Sequence, residues 1–247
     1  MLKIESTEVM GWGAAIRGMR NPKNSWEKSD SLFGRNLSIP YAQNNPIVLI
    51  DKNGVETFIG DSDLKLMMQL RNAGTDHRKF MRMIVVYVDV TAPLYWWKEF
   101  DTYKVGTVAN SCSTMHKIAD KEFTLEDFSH EHLIVSDDVN HIDMVGWLQK
   151  QIDILNEWRL TYLDCSPGNP YKKEYWWQMI QLLPSSYNQR RTVMLNYEVL
   201  ANMYKSRRHH KLDEWHTFCD WIEGLPYSEL ITGANEVRTS AESGGKE

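Results

Sequence analysis

At 247 residues, with 42% hydrophobic and 25% charged residues, the chain has the composition of an ordinary globular protein and enough length to bury a substantial core. A formal net charge of -5 argues against nucleic acid as a main partner, and no run approaches 18 apolar residues, which sets aside a membrane-spanning helix. Three cysteines, Cys112, Cys165 and Cys219, show no metal-ligand spacing and leave one unmatched, and the N-terminal MLKIESTEV lacks the apolar centre of a signal peptide, so reduced thiols and a cytoplasmic setting are expected.

Residues 2–9 read as an edge strand and 11–20 as a short helix after a Gly-rich turn. Residues 21–45 are polar and broken by Pro22, Gly34 and Pro40, which reads as a long loop of the kind that forms lids or interfaces. Residues 46–59 form a hairpin, PIVLI and VETFI around the turn DKNG. A helix over 61–72 takes Asp61 or Ser62 as its cap and turns Leu64, Met67, Met68 and Leu70 inward, and Gly74 ends it. MIVVYVDV at 83–90 is dense in β-branched residues and is the clearest strand; Ala92-Pro93 closes it. A helix follows over 94–103. Residues 139–165 read as a long helix with Ile142, Val145, Leu148, Ile152, Leu155, Trp158 and Tyr162 as its apolar stripe, and 173–183 as another. Trp96-Trp97 and Trp176-Trp177 are doublets, so both faces of those segments require cover from core or a partner subunit. The tail at 232–247 is small, polar and Gly-containing, as in disordered segments. No internal repeat is visible, and a single domain over 1–231 is expected.

Residues 184–215 hold no Gly or Pro after Pro184 and follow the 3.6-residue period, which predicts a helix of about seven turns, continuing over 211–224 after a kink near His209. On it Asn196, Leu200, Met203 and Arg207 share one face, with Asn196 and Arg207 about 16 Å apart. An amide and a guanidinium with apolar residues between them suit a planar polar ligand; the same pattern also describes an amphipathic core helix with polar ends.

Common catalytic and phosphate-binding signatures are missing: no GxGxxG, P-loop, GxSxG, HExxH or CxxC pair. His209-His210 point about 100° apart on a helix, and His130 and His132 have no third ligand nearby, so no metal is expected.

Two segments together resemble the flavin-dependent thymidylate synthases. In that family a Gly-His pair precedes a strand ending in Ala-Pro, and an Arg-Gln-x-x-Arg-His-Arg helix follows, with a Ser eight residues beyond the last Arg and then x-Arg-Tyr. A later segment has Leu-Pro, an Asn twelve residues on, a second amide or His six further, and an Arg eleven beyond the first Asn. Here the His falls on His77, the strand on 83–90 and Ala-Pro on Ala92-Pro93; the later segment falls on Leu183-Pro184, Asn196, Asn202 and Arg207. The resemblance covers about 60–116 and 180–215, roughly half the chain. It departs at the Arg-His-Arg signature, which becomes Thr102, Tyr103 and Lys104, and at Lys98 and Glu99 in place of Arg-Gln. The motif Ser falls on Cys112, and two phosphate-binding arginines fall on Thr114 and Ile180. A small slip of register places Ser111 or Ser113 at the motif position and His116 near the Tyr, and Arg190 or Arg191 is the nearest substitute for a lost arginine.

The resemblance implies an α/β (α+β) fold, a small central, mostly antiparallel sheet flanked by several long helices, of the thymidylate synthase complementing protein type. It implies FAD, NADPH and methylene-tetrahydrofolate as cofactors, methylation of dUMP or a related pyrimidine nucleotide, and a homotetramer. Arg207 takes the role of the arginine that holds and polarises the pyrimidine. His77, Lys104, Asn196 and Asn202 stand at cofactor positions, and Tyr103, Ser111, Cys112, Ser113, Arg190 and Arg207 at substrate positions. Each residue also has a structural reading: His77 as a turn or cap, Arg207 and Arg208 as cations favoured by a helix C-terminus, Cys112 in a tight turn, Arg190 and Arg191 in surface salt bridges. A nucleotide-binding protein without redox chemistry and an interaction protein with Trp-rich surfaces are the alternatives.

Overall fold

A computed structural model describes residues 2–38, 48–51, 53–135 and 142–233. In chain order the elements are β1 (Lys3–Met10), α1 (Trp12–Arg20), β2 (Leu32–Gly34), β3 (Val48–Ile50), β4 (Glu56–Phe58), α2 (Asp61–Asn72), β5 (Val85–Pro93), α3 (Leu94–Phe100), β6 (Val108–Ser111), α4 (Met144–Asp164), α5 (Lys172–Leu182), β7 (Asn188–Asn196), α6 (Tyr197–Arg207), α7 (Asp213–Glu223) and α8 (Glu229–Thr232). The architecture is the expected mixture of helix and antiparallel sheet. One sheet runs β1-β5-β7-β6 and a smaller one β2-β4-β3. The described residues gather into two compact units, one within 1–5, 88–104 and 109–193, the other within 6–87, 105–108 and 194–247.

In the first unit α4 and α5 pack on each other over a core of Phe123, Phe128, Leu148, Ile152, Leu155 and Met179. Asp143 caps α4 by accepting from the Gly146 N–H at 3.0 Å, and residues 139–141 of the expected helix lie outside the described ones. Ile142 therefore precedes the helix and is exposed. The Trp doublets part company. Trp96 and Trp97 are both fully buried on α3, and Trp97 donates to the Gln189 carbonyl at 2.9 Å. Trp177 is 39% exposed beside a half-buried Trp176.

In the second unit the expected hairpin pairs Val48 with Phe58 and Ile50 with Glu56, and β2 adds to the far edge of β4. Residues 21–38 thus carry a strand and two 3-10 turns where a loop is expected, because a buried ion pair organises them. Asp63, fully buried on α2, accepts from Arg20 Nε at 2.6 Å and from the Ser29 and Ser31 hydroxyls at 2.6 and 2.7 Å. Gly60, in an extended conformation, occupies the α2 cap position expected of Asp61 or Ser62. Of the four residues expected to turn inward only Met67 is buried; Leu64, Met68 and Leu70 are half-buried.

The largest correction concerns the long helix over 184–215. Its first part is β7, an interior strand between β5 and β6. Gln189, Val193 and Leu195 point inward at alternate positions, a period of two imposed by pairing partners on both sides. Only at Tyr197 does the backbone turn helical, and α7 is a separate helix starting at Asp213. The expected tail lies outside the described residues from 234 onward.

Candidate functional site

Asn196 is both the last residue of β7 and the cap of α6. Its Oδ1 accepts from the Val199 N–H at 3.0 Å, closing one of the open amides at the helix start. Its Nδ2 donates to the Gly106 carbonyl at 3.4 Å. Gly106 has φ +82°, and a Cβ there would stand 2.7 Å from that nitrogen, so the approach requires glycine. Both ends of the Asn196 amide are thus engaged inside the protein. Leu200 and Met203, between Asn196 and Arg207, are fully buried. The middle of that face is core, which selects the amphipathic core-helix reading over a wall for a planar ligand. At the far end Arg207 is half-buried, with its guanidinium 4.9 Å from the centre of the Trp215 ring.

A different face of α6 carries Glu198 and Asn202, one turn apart. Glu198 is buried, and two arginines of the 3-10 segment Arg78–Met83 reach it. Arg78 Nε donates to Oε1 at 3.4 Å; Arg82 donates to Oε2 through Nε and to Oε1 through Nη2 at 3.3 Å. Hydrogen bonding to Glu198 raises the Arg82 pKa above its usual value. Arg78 also donates from Nη2 to Asn202 Oδ1 at 3.0 Å. His77, exposed, sits at the N-cap of the same segment. The fold thus gathers His77 and Asn202 around Arg78, Arg82 and Glu198, three residues the sequence reading passes over. Two signals pointed to them: basic residues four apart just after His77, and a lone acidic residue in the apolar run YEVLA.

In the first unit β6 lies beside β7. The Cys112 N–H donates to the Arg190 carbonyl at 2.9 Å, and Gln189 Nε2 donates to the Cys112 carbonyl at 3.0 Å. Ser111, Cys112 and Ser113 are exposed in this stretch, and Ser113 Oγ accepts from the His116 N–H at 3.0 Å. Arg190 is paired: its Nη2 lies 2.8 Å from Asp89 and its Nη1 3.8 Å from Glu5. Arg191 pairs with Asp101 at 2.8 Å and stacks 4.1 Å from the Trp97 ring centre. Tyr103 is half-buried and Lys104 exposed, just past α3, where the Thr102 hydroxyl donates to the Glu99 carbonyl at 2.7 Å.

A cavity of about 610 Å³ in the second unit, walled by β1, the start of α1 and the β3–β4 hairpin, is lined by none of the expected site residues. Among the described residues no cluster of His, Cys, Asp and Glu is placed to hold a metal, and no helix is long and apolar enough to cross a membrane.

No protein-family model and no curated protein matches the chain. Solved structures do. The flavin-dependent thymidylate synthase ThyX from Helicobacter pylori, complexed with FAD and dUMP, superposes with a TM-score of 0.61 at 14% identity, over 94% of this chain and 98% of that one. A second ThyX structure from Helicobacter pylori, also with FAD and dUMP, gives 0.60 at 12% identity over the same shares. The UMP/dUMP methylase PolB from Streptomyces cacaoi, bound with 5-Br dUMP, gives 0.56 at 12% identity, over 94% of each chain. At such identities the likeness is one of fold, and it extends over 94% of the chain rather than only the two segments that carry the sequence resemblance.

Proposed function

We propose that this chain, which has the fold of the flavin-dependent thymidylate synthases, is an FAD-dependent enzyme that methylates dUMP or a related pyrimidine nucleotide at C5. The observation that most supports this reading is the match over 94% of the chain to a ThyX complexed with FAD and dUMP. Fold alone does not determine chemistry, so the reading also depends on side chains that suit such ligands. Asn202 carries an amino group with no acceptor among the described residues, held beside Arg78, and His77 precedes Arg78 in the chain; such donors suit the carbonyls and phosphates of a flavin nucleotide. Flavin, when bound, supplies the redox chemistry, with NADPH as reductant and methylene-tetrahydrofolate as carbon donor, and no side chain need act as a covalent nucleophile.

Arg207 is the residue we assign to catalysis. A cation at a pyrimidine carbonyl oxygen stabilises the negative charge that develops as C5 becomes nucleophilic. The Trp215 ring under its guanidinium restricts where that cation can go. Asn196 serves from behind, fixing the start of α6. Lys104 is proposed as a further cofactor contact and Tyr103 as a substrate contact. Ser111, Cys112, Ser113 and Arg190 are proposed for the nucleotide phosphate, for which Arg190 has to be shared with Asp89. A homotetramer belongs to the reading. Every residue of β6 is exposed, and α4 shows Trp147 and Ile154 on its surface, features that another subunit would cover. Free thiols at Cys112, Cys165 and Cys219 support a cytoplasmic setting.

One observation favours a nucleotide-binding protein without redox activity: Thr102, Tyr103 and Lys104 replace the Arg-His-Arg signature, and the Thr102 hydroxyl is engaged with its own helix. An absorbance spectrum between about 350 and 500 nm, taken after adding FAD and desalting, separates the readings by the flavin chromophore. Retained flavin bands support the enzyme. A flat spectrum with a melting temperature raised by dUMP supports the binding protein instead.

A further inference from the structure

Glu198 is a carboxylate on the buried side of α6, 8% exposed. A carboxylate in such a place requires partners, and Arg78 and Arg82 supply them from a neighbouring segment. That pairing has a second effect. With Nε on Glu198 at 3.4 Å, the planar Arg78 guanidinium directs Nη2 at Asn202, whose Oδ1 accepts at 3.0 Å. An asparagine amide has one acceptor end and one donor end. With its oxygen held by Arg78, the exposed Asn202 side chain offers its NH2 group, which has no partner among the described residues.

We propose that Arg78, anchored by Glu198 and with Arg82 as the second anchor, is a positioning residue that locks the Asn202 amide donor-outward, so that it takes a ring carbonyl of a pyrimidinedione ligand. That ring is shared by a flavin and by a uracil nucleotide. The inference rests on the flavin and nucleotide reading above and adds to it the residues that set the polarity of one contact. Without Arg78 the amide turns freely, and half of its orientations present an oxygen to an oxygen.

The test uses full-length protein titrated separately with FAD and with dUMP. Asn202→Asp is the decisive variant. It keeps, and strengthens, the contact with Arg78, so the fold is retained, but it presents a carboxylate oxygen where the N–H groups were. Its melting temperature is expected to be unchanged or higher, while the Kd of one ligand rises by about tenfold or more; the ligand affected identifies the ring. Arg78→Met is expected to weaken the same ligand in the same direction, and the double variant to be no worse than Asn202→Asp alone, since the two act on one contact. The inference is overturned if Asn202→Asp binds both ligands like the parent, if Arg78→Met leaves both Kd values unmoved, or if the two losses add. A parent protein that binds neither ligand removes the functional reading as well, whereas normal binding by parent and variants removes this inference alone.

Discussion

Asp63→Ala is expected to destabilise the second unit by about 3 kcal/mol, from the range of about 3–5 kcal/mol for breaking a buried ion pair from one side. The carboxylate accepts from Arg20 Nε at 2.6 Å, from the Ser29 and Ser31 hydroxyls, and from the Asp30 and Ser31 N–H groups, both at 3.2 Å. Its removal leaves Arg20, 3% exposed, without a counter-charge. Arg20 keeps the Ser25 and Lys28 carbonyls at 3.1 and 2.9 Å, which places the loss at the lower end of the range. In urea, with a slope of about 3 kcal/mol per molar, the midpoint falls by about 1 M. Replacing the pair together, Arg20→Met with Asp63→Leu, restores much of the loss, because no charge is then stranded. The same group gives a pH signature. Burial alone would raise its pKa, but hydrogen bonds from Ser29, Ser31 and Arg20 outweigh burial and hold it below the usual 3.8. A carboxyl depressed on folding stabilises above its unfolded pKa, and that contribution is lost as pH falls through the folded value. The parent therefore loses this contribution below pH 3.8 and Asp63→Asn has none to lose. A loss under about 1 kcal/mol in urea, or identical acid profiles for parent and Asp63→Asn, refutes the reasoning.

Gly106→Ala places a methyl 2.7 Å from Asn196 Nδ2 on a backbone at φ +82°, and is expected to cost about 1–3 kcal/mol by thermal melting; an unchanged melt rules out the close approach. Arg207→Ala loses the contact with the Trp215 ring, about 0.5–1 kcal/mol, so it folds, yet it no longer shows a melting shift with dUMP; a retained shift means the nucleotide lies elsewhere. Native protein treated with a thiol reagent reacts fast at Cys112 alone. Cys165 and Cys219 are buried, and burial pushes the Cys219 pKa up to about 11, so more than one fast thiol contradicts the packing.

The legible parts of the fold were those whose local pattern agrees with their surroundings. The α4 stripe at Leu148, Ile152 and Leu155, the pairing of β3 with β4 and the β-branched run of β5 are all readable from local pattern. β7 is not. NQRRTVMLN holds only two β-branched residues, and its inward positions include Gln189 and Arg191, which break apolar alternation. What makes it a strand is the pair of neighbours on either side, contacts far away in sequence that override local preference. β6 is unreadable for the same reason: VANS is short, small and exposed, and its pairing is set by β7. Nothing local marks Asp63 as a buried ion-pair residue, because its partner Arg20 stands 43 residues away. At the candidate site, the spacing shared with the flavin-dependent thymidylate synthases marks His77 and Asn202, whereas Arg78 and Glu198 are identified only by the distance between them.

The absence of a loop between β7 and α6 bears on which genetic changes this chain can absorb. A substitution in residues 194–196 alters the contacts of one side chain. A codon inserted or deleted there alters all of them, because each residue advances a helix by about 100° and 1.5 Å and swaps the two faces of a strand. Glu198 would leave Arg78, Asn202 would lose its lock, and Arg207 would swing off Trp215 in one event. Length variation is thus barred from this joint more strictly than substitution, and a library that scans single-residue insertions is expected to show there its sharpest loss of folded protein.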